Sequence, residues 1–218
     1  YNNRYIIIKY LGRGTFCRMW LCYDLINNKC VALKLFFSEF YEDSKNELKV
    51  HSLLNTKSNY IVHLLDHFTI DKKQNCFIYE LMGLTLIDIL DYYNNKIPLP
   101  ILKIITKQIA EGLHYLHINN IIHADLKLEN IMISQLPTKI STINDTLLSL
   151  NLDSKLNSII HNNLPENYYK FPKHKRKNVK RKVKQKSLKQ LLEFIKTQIS
   201  TLNIKEDLKI DEININCK

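Results

Sequence analysis

Ile121-Ile122-His123-Ala124-Asp125-Leu126-Lys127-Leu128-Glu129-Asn130 is the stretch on which the reading of this chain turns. It sets an Asp, a Lys and an Asn two and three residues apart on one short segment. Such spacing brings together a carboxylate able to accept a proton, a cation, and an amide oxygen able to hold a metal. The segment follows a helix pattern. Pro98 and Pro100 open it, where a missing N–H leaves no orphan donor. Leu102, Ile105, Ile109, Leu113 and Leu116 then recur at three- and four-residue steps, one helical face that supports the loop from beneath. His114 and His117 share this helix, but no Cys or carboxylate cluster joins them, and they read as structural. His63 and His67 read as ordinary histidines of a strand.

Three elements lie upstream, in order. Leu11-Gly12-Arg13-Gly14-Thr15-Phe16-Cys17-Arg18-Met19 separates two apolar runs, Tyr5 to Tyr10 and Met19 to Tyr23, and predicts two strands joined by a loop. Gly12 and Gly14 carry no Cβ and allow close approach to the backbone. Val31-Ala32-Leu33-Lys34 predicts a third strand. In Tyr41-Glu42-Asp43-Ser44-Lys45-Asn46-Glu47-Leu48, Glu42 and Asp43 suit the positive end of a helix dipole, and Glu47 is the best acidic partner for Lys34. Cys76-Phe77-Ile78-Tyr79-Glu80-Leu81-Met82-Gly83 predicts a buried strand ending in an acid and a Gly. Each alone reads blandly, as a hairpin turn, a snorkelling Lys and a core strand. Their order and spacing give them a joint meaning.

Residues 5 to 134 together resemble a eukaryotic Ser/Thr protein kinase. The opening stretch is similar to the family's catalytic loop, H-R-D-x-x-x-x-N, and the upstream elements to its Gly-rich loop, V-A-I-K strand and hinge. The resemblance implies ATP and Mg2+ as cofactors. It makes Asp125 the base for the attacking hydroxyl, Lys127 the group that steadies the γ-phosphate, and Asn130 the magnesium ligand. It makes Leu11 to Met19 the cover over the ATP phosphates, with Ala32 beside the nucleotide and Lys34, held by Glu47, on the α- and β-phosphates. Tyr79 becomes the gatekeeper, with Glu80, Leu81 and Met82 along the adenine edge. The implied fold is α+β: an antiparallel β small lobe with one main helix, a hinge, and the first helices and catalytic loop of the large lobe.

Within that family, several details look like the SR-protein kinases: Phe16, Trp20-Leu21-Cys22-Tyr23-Asp24, Tyr41 to Ser44, Glu80-Leu81-Met82-Gly83, and Ile97-Pro98-Leu99. That subgroup implies protein substrates, Arg/Ser-rich splicing factors among them. Clk-like kinases and a non-catalytic pseudokinase scaffold are the alternatives. Intact Lys34, Asp125 and Asn130 argue against the scaffold. Cys17 replaces a third Gly, Met19 a Val, Leu128 a Pro, and Ala124 the Arg that in many kinases meets a phosphate on the activation loop. The last change suggests activity independent of such phosphorylation.

No D-F-G, D-L-G or A-P-E occurs in the 218 residues. With Tyr1 rather than Met at the start, the chain reads as a kinase fragment that binds nucleotide weakly and transfers phosphate poorly. Residues 135–218 are expected to be a spacer: 135–172 loop or disorder, 173–186 a basic tract, and a helix at about 188–202. Ser187-Leu188-Lys189-Gln190 resembles a capping box. Leu188, Leu191, Leu192, Ile195, Ile199 and Leu202 form its apolar stripe, and the alternation Asp211 to Lys218 looks like the approach to another strand. The tract holds nine Lys or Arg of a chain whose net charge is +11, leaving +2 elsewhere. It reads as a solvated, self-repelling spacer ahead of a nuclear-import or RNA-binding segment, since no aromatics interleave it for base stacking. At 45% apolar residues one globular domain is expected. Five unpatterned cysteines, with no membrane-spanning run or leader, fit an intracellular protein of the cytoplasm or nucleus.

Overall fold

A computed structural model describes residues 4–54, 58–136 and 138–200. Five strands form one sheet: β1 (Tyr5–Arg13), β2 (Cys17–Asp24), β3 (Lys29–Phe36), β4 (Leu64–Ile70) and β5 (Gln74–Tyr79), in the order β1-β2-β3-β5-β4. β5 pairs antiparallel with both neighbours, setting Ala32 opposite Tyr79 and Lys34 opposite Phe77. β3 and β5 are nearly continuous runs of buried residues, Val31 to Leu33 and Asn75 to Tyr79, as expected for central strands covered on both faces.

The helices are α1 (Tyr41–Leu53), α2 (Leu86–Tyr92), α3 (Leu99–Ile118), α4 (Thr138–Ser149), α5 (Leu152–Asn163) and α6 (Lys173–Ser200). α1 carries Glu42 and Asp43 in its first turn, and Ser44 is its one buried residue. α2 opens on a capping box, the Thr85 hydroxyl accepting from Asp88 N–H and the Asp88 carboxylate from Thr85 N–H. α3 begins after Pro98 with Pro100 in its first turn. Its inward face is Ile101, Ile105, Ile109, Gly112 and Leu116. Leu102, expected on that face, is instead exposed: it lies one helical step beside the row centred on Ile105.

The contacts gather the chain into two units. One holds residues 10–21, 31–54 and 58–136, with two apolar cores among the described residues. Cys17, Ala32, Phe36, Phe77 and Tyr79 form the first, flanked by Met19, Leu48 and Leu81. Leu86, Ile89, Ile105, Ile131 and Ile133 form the second. The other unit holds residues 4–9, 22–30 and 139–200. Here Arg4 grips buried Asp24 through two 2.7 Å bonds, the Cys30 N–H donates to Asn144 Oδ1 at 3.2 Å, and α5 packs on α6.

Residues 138–163 are helical where the sequence suggested loop or disorder. Ile143 and Leu147, then Leu152 and Leu156, are buried at four-residue spacing. Two short helices with two buried positions each, rich in Ser, Thr and Asn, leave too little period to read. Asn151, in the left-handed region at φ 44°, separates them and caps α5 by accepting from Ser154 N–H. α6 differs too: it begins at Lys173, and the Arg176 N–H to Pro172 carbonyl bond closes its first turn. Lys, Arg and Gln are good helix formers, and the basic tract simply continues the amphipathic segment toward its N-terminus. Ser187 therefore caps nothing. It is buried within α6, its hydroxyl 3.3 Å from Asn163 Nδ2 of α5, with Leu191 and Ile195 buried one and two turns on. Leu202 and Asp211–Lys218 lie outside the described residues. Among the described residues no helix is long and apolar enough to cross a membrane. Cys17, Cys22, Cys30 and Cys76 are buried free thiols, and burial pushes Cys30 and Cys76 up to about 12.

Candidate active site

Lys34 sits on β3 and Glu47 on α1, and the Lys34 ammonium lies 2.7 Å from each Glu47 carboxylate oxygen. Both side chains keep some exposure, 23% and 30%, so the pair lines an accessible place rather than a sealed core. Tyr79, at the end of β5, donates its hydroxyl to Glu47 Oε1 at 2.7 Å. Its oxygen in turn lies 2.9 Å from His51 Nε2, one helical turn beyond Glu47. Burial first, and then the Glu47 charge and hydrogen bond, hold the Tyr79 phenol well above its ordinary range. Burial lowers His51, favouring the neutral ring; with the Tyr79 proton directed to Glu47, the contact with His51 calls for the tautomer protonated at Nε2.

The glycine segment leaves β1 at Arg13 and re-enters the sheet at Cys17. Among the described residues a Cβ on Gly12 would meet nothing within 4 Å, so no contact there demands Gly. The turn closes with Gly14 N–H donating to the Cys17 carbonyl at 3.0 Å. Cys17 is buried under the loop, which raises its pKa. Phe16 rests edge-on against Phe40 at 4.9 Å, and the Phe37 N–H donates to the Phe16 carbonyl. The Arg13 and Arg18 guanidinium groups both lie over the Phe37 ring, at 5.1 and 5.3 Å. Leu11, Arg13, Thr15, Phe16 and Arg18 are therefore carried at the solvent side of the loop or beside it, while Met19 and Ala32 belong to the core beneath.

Past Tyr79 the main chain leaves the sheet. Glu80 is fastened by His63, whose N–H donates to Glu80 Oε1 at 2.8 Å and whose carbonyl accepts from Glu80 N–H at 3.2 Å. His63 is thus not an ordinary strand residue: it precedes β4 and anchors the end of the hinge. Leu81 and Met82 follow in neither strand nor helix. Gly83 then joins a small antiparallel pairing with residues 131–133: Gly83 N–H to Ile133 carbonyl at 2.8 Å, Ile133 N–H to Leu84 carbonyl at 2.8 Å, and Leu86 N–H to Ile131 carbonyl at 2.9 Å. A Cβ on Gly83 would stand 1.8 Å from the Gln135 carbonyl oxygen, so only Gly allows this approach.

That pairing fixes the far end of the opening stretch. Asn130 ends a 3-10 turn, Leu128–Asn130, immediately before Ile131. Its Nδ2 donates to the Asp125 carboxylate and to the Asp125 carbonyl, both at 2.8 Å. Lys127 Nζ lies 3.0 Å from the same carboxylate oxygen. These hydrogen bonds, Lys127 first and Asn130 second, hold the Asp125 carboxyl below its usual range, so the group is an ionised acceptor near neutral pH. With Nδ2 committed, Asn130 Oδ1 is the oxygen left for a metal. Among the described residues no trio of His, Cys, Asp or Glu could hold a metal ion. One amide oxygen could serve only as a single ligand to Mg2+, which keeps several waters and takes its other ligands from carboxylates and substrate phosphates.

Of the sequence-derived residues, Lys34, Glu47 and Tyr79 form one structural cluster and Asp125, Lys127 and Asn130 another, while Leu11–Met19, Ala32 and Glu80–Met82 belong to neither. Reasoning from sequence missed His51 and His63. For His51 the signal was its place one turn after Glu47; for His63 no sequence signal exists, because its partner Glu80 is met only through sheet pairing.

A glycine turn, a strand lysine paired to a helix glutamate and an Asp–Lys–Asn loop occur together in one unit, the set of parts that protein kinase domains use. The protein kinase domain family matches residues 5–145, and the chain belongs to that family. It is 40% identical to the serine/threonine-protein kinase SRPK of Physarum polycephalum over 62% of this chain. It is 36% identical to the serine/threonine-protein kinase SKY1 of Saccharomyces cerevisiae over 60%, and 34% identical to human SRSF protein kinase 3 over 61%. The chain spans 35%, 20% and 26% of those three relatives. A solved crystal structure of a kinase domain superposes with TM-score 0.58 at 28% identity, covering 62% of this chain and 41% of that one.

Proposed function

We propose that the protein this chain belongs to is an ATP- and Mg2+-dependent protein serine/threonine kinase of the SR-protein kinase type. The observation that carries the reading is the Asp125 carboxylate, exposed and ionised, with Lys127 at 3.0 Å and Asn130 at 2.8 Å. In this reading Asp125 accepts the proton of the substrate hydroxyl as its oxygen attacks the γ-phosphorus, while the bond from that phosphorus to the β,γ-bridging oxygen breaks and ADP leaves with the electron pair. Lys127 turns to the γ-phosphate, whose charge competes with Asp125 for the ammonium. Asn130 Oδ1 holds the magnesium ion, which neutralises the phosphates when bound. Lys34, fixed by Glu47, positions the α- and β-phosphates, and the Leu11–Met19 segment covers them. Leu81 and Met82 offer main-chain groups to the adenine, beside Tyr79 and Glu80.

The substrates in this reading are proteins, Arg/Ser-rich splicing factors among them, supported by the names of the similar relatives. The protein works inside the cell, in cytoplasm, nucleus or both. Residues 5–134 are the first part of the kinase domain and 135–218 a spacer. The 218 residues alone, without a D-F-G or A-P-E segment, bind nucleotide weakly and transfer phosphate poorly. RNA binding by the basic tract is the less favoured role.

Asp125→Asn tests the chemistry. In the full-length protein it keeps the hydrogen bond to Asn130 but removes the base. Phosphoryl transfer should fall by 10²-fold or more, with nucleotide affinity within about twofold. Transfer that survives the change contradicts the assignment. A wild-type protein that binds nucleotide and transfers nothing supports a scaffold instead.

A further inference from the structure

Glu47 is held from two sides, and only one of them is Lys34. α1 lays a polar stripe against one face of β5. Asn75 Nδ2 donates to Ser44 Oγ at 2.7 Å, the Tyr79 hydroxyl donates to Glu47 Oε1 at 2.7 Å, and His51 Nε2 meets the Tyr79 oxygen at 2.9 Å. Residues 44, 47 and 51 lie on one helical face, and Asn75 and Tyr79 on one face of the strand. Of the α1 residues only Ser44 is buried; Leu48 packs partly against the core, while Val50 and Leu53 are exposed. A helix seated by hydrogen bonds more than by apolar area has its position set by those bonds. A half-exposed Lys–Glu pair is by itself weakly self-positioning.

We propose that Tyr79 and His51 are positioning residues for the nucleotide phosphates, holding Glu47, and through it Lys34, from the strand side. The inference rests on the nucleotide reading above and deepens it. Tyr79 is then more than a wall of the adenine pocket. Its ring belongs to the apolar core with Ala32 and Phe77, and its hydroxyl fixes the acid that orients the phosphate-binding lysine. His51 completes the arrangement by donating to the same oxygen, which directs the phenolic proton toward Glu47.

Adenosine and ADP separate this role from a merely structural one, since only ADP carries the α- and β-phosphates that Lys34 would meet. Calorimetric titration of the full-length protein with each ligand is the experiment. Wild type should bind ADP more tightly than adenosine. Tyr79→Phe keeps the ring and removes the hydroxyl; it should weaken ADP about tenfold, as loss of a hydrogen bond to a charged group does, and leave adenosine within about twofold. Glu47→Gln should remove most of the same preference, and Tyr79→Phe added to it should cost nothing further. His51→Ala should weaken ADP in wild type but not in Tyr79→Phe. Unchanged ADP affinity in Tyr79→Phe, equal losses for the two ligands, or fully additive losses in the double variant each overturn the inference. A wild type that binds neither ligand overturns the nucleotide reading itself, a result distinct from those three.

Discussion

Ala124 sits at φ 62° in the middle of the opening stretch, in the left-handed region that side chains with a Cβ avoid. The peptide after it brings Asp125 N–H to the His123 carbonyl at 2.9 Å, and so aims the Asp125 side chain at Lys127 and Asn130. The strain belongs to the aiming of the loop. Ala124→Gly should relieve it and stabilise the protein by about 0.5–1 kcal/mol, read as a higher denaturant midpoint with an unchanged slope. No gain in midpoint contradicts the strained conformation. The other left-handed residues are Asn28, Asp71, Lys72, Asn94, Asn95, Asn120 and Asn151, all at turns or helix ends. In a chain with four glycines, Asn does the work of Gly at most of these points, because its short amide tolerates the conformation. Nothing in the sequence tells which of its Asn residues turn the chain. Asp125, Lys127 and Asn130 were legible as a cluster because two- and three-residue spacing brings them together, and the Lys34–Glu47 pair because a helix follows the strand directly. His63 was not, because its partner lies across the sheet.

At the scale of elements, the piece that most needs explaining is the segment between β5 and α2. It passes from the hinge into a two-stranded pairing with residues 131–133, so one small ladder fastens both Leu81–Met82 and Asn130. Gly83 permits it by coming against the Gln135 carbonyl. Gly83→Ala should cost about 1–3 kcal/mol or more and loosen the Asp125–Asn130 loop along with the hinge. Hydrogen exchange checks this: the Gly83, Leu86 and Ile133 amides should lose protection together. Retained protection at Ile133 contradicts the coupling. The ladder was not visible in the sequence, where residues 131–134 are only three apolar residues and a Ser. The strands were, because Val31 to Phe36, broken only by Lys34, and Cys76 to Tyr79 carry apolar runs. α4 and α5 were hidden by composition. The first half of α6 was hidden by charge, since nine like charges between 173 and 186 erase any apolar period.

For the whole molecule, the order of elements carries the argument. A sheet of order β1-β2-β3-β5-β4 with α1 inserted between β3 and β4 puts the glycine turn, Lys34, Glu47 and Tyr79 within one unit. α2 and α3 then carry the chain to the Asp125 loop in the same unit. A single domain was expected from length and composition, and the contacts instead gather into two units, one of them assembling residues 4–9 and 22–30 with the helices from 139 onward. Length and composition could not foresee that, since the partners lie more than a hundred residues apart, as Cys30 and Asn144 do. The central claim is phosphoryl transfer to protein hydroxyls, and one measurement reaches it most directly. Full-length protein is incubated with γ-labelled ATP and an Arg-Ser repeat peptide, with Mg2+ and again with the metal chelated. The account predicts label on peptide serine with Mg2+ present and none without it. Nucleotide bound in the presence of Mg2+, with no label reaching any protein or peptide hydroxyl, would contradict it.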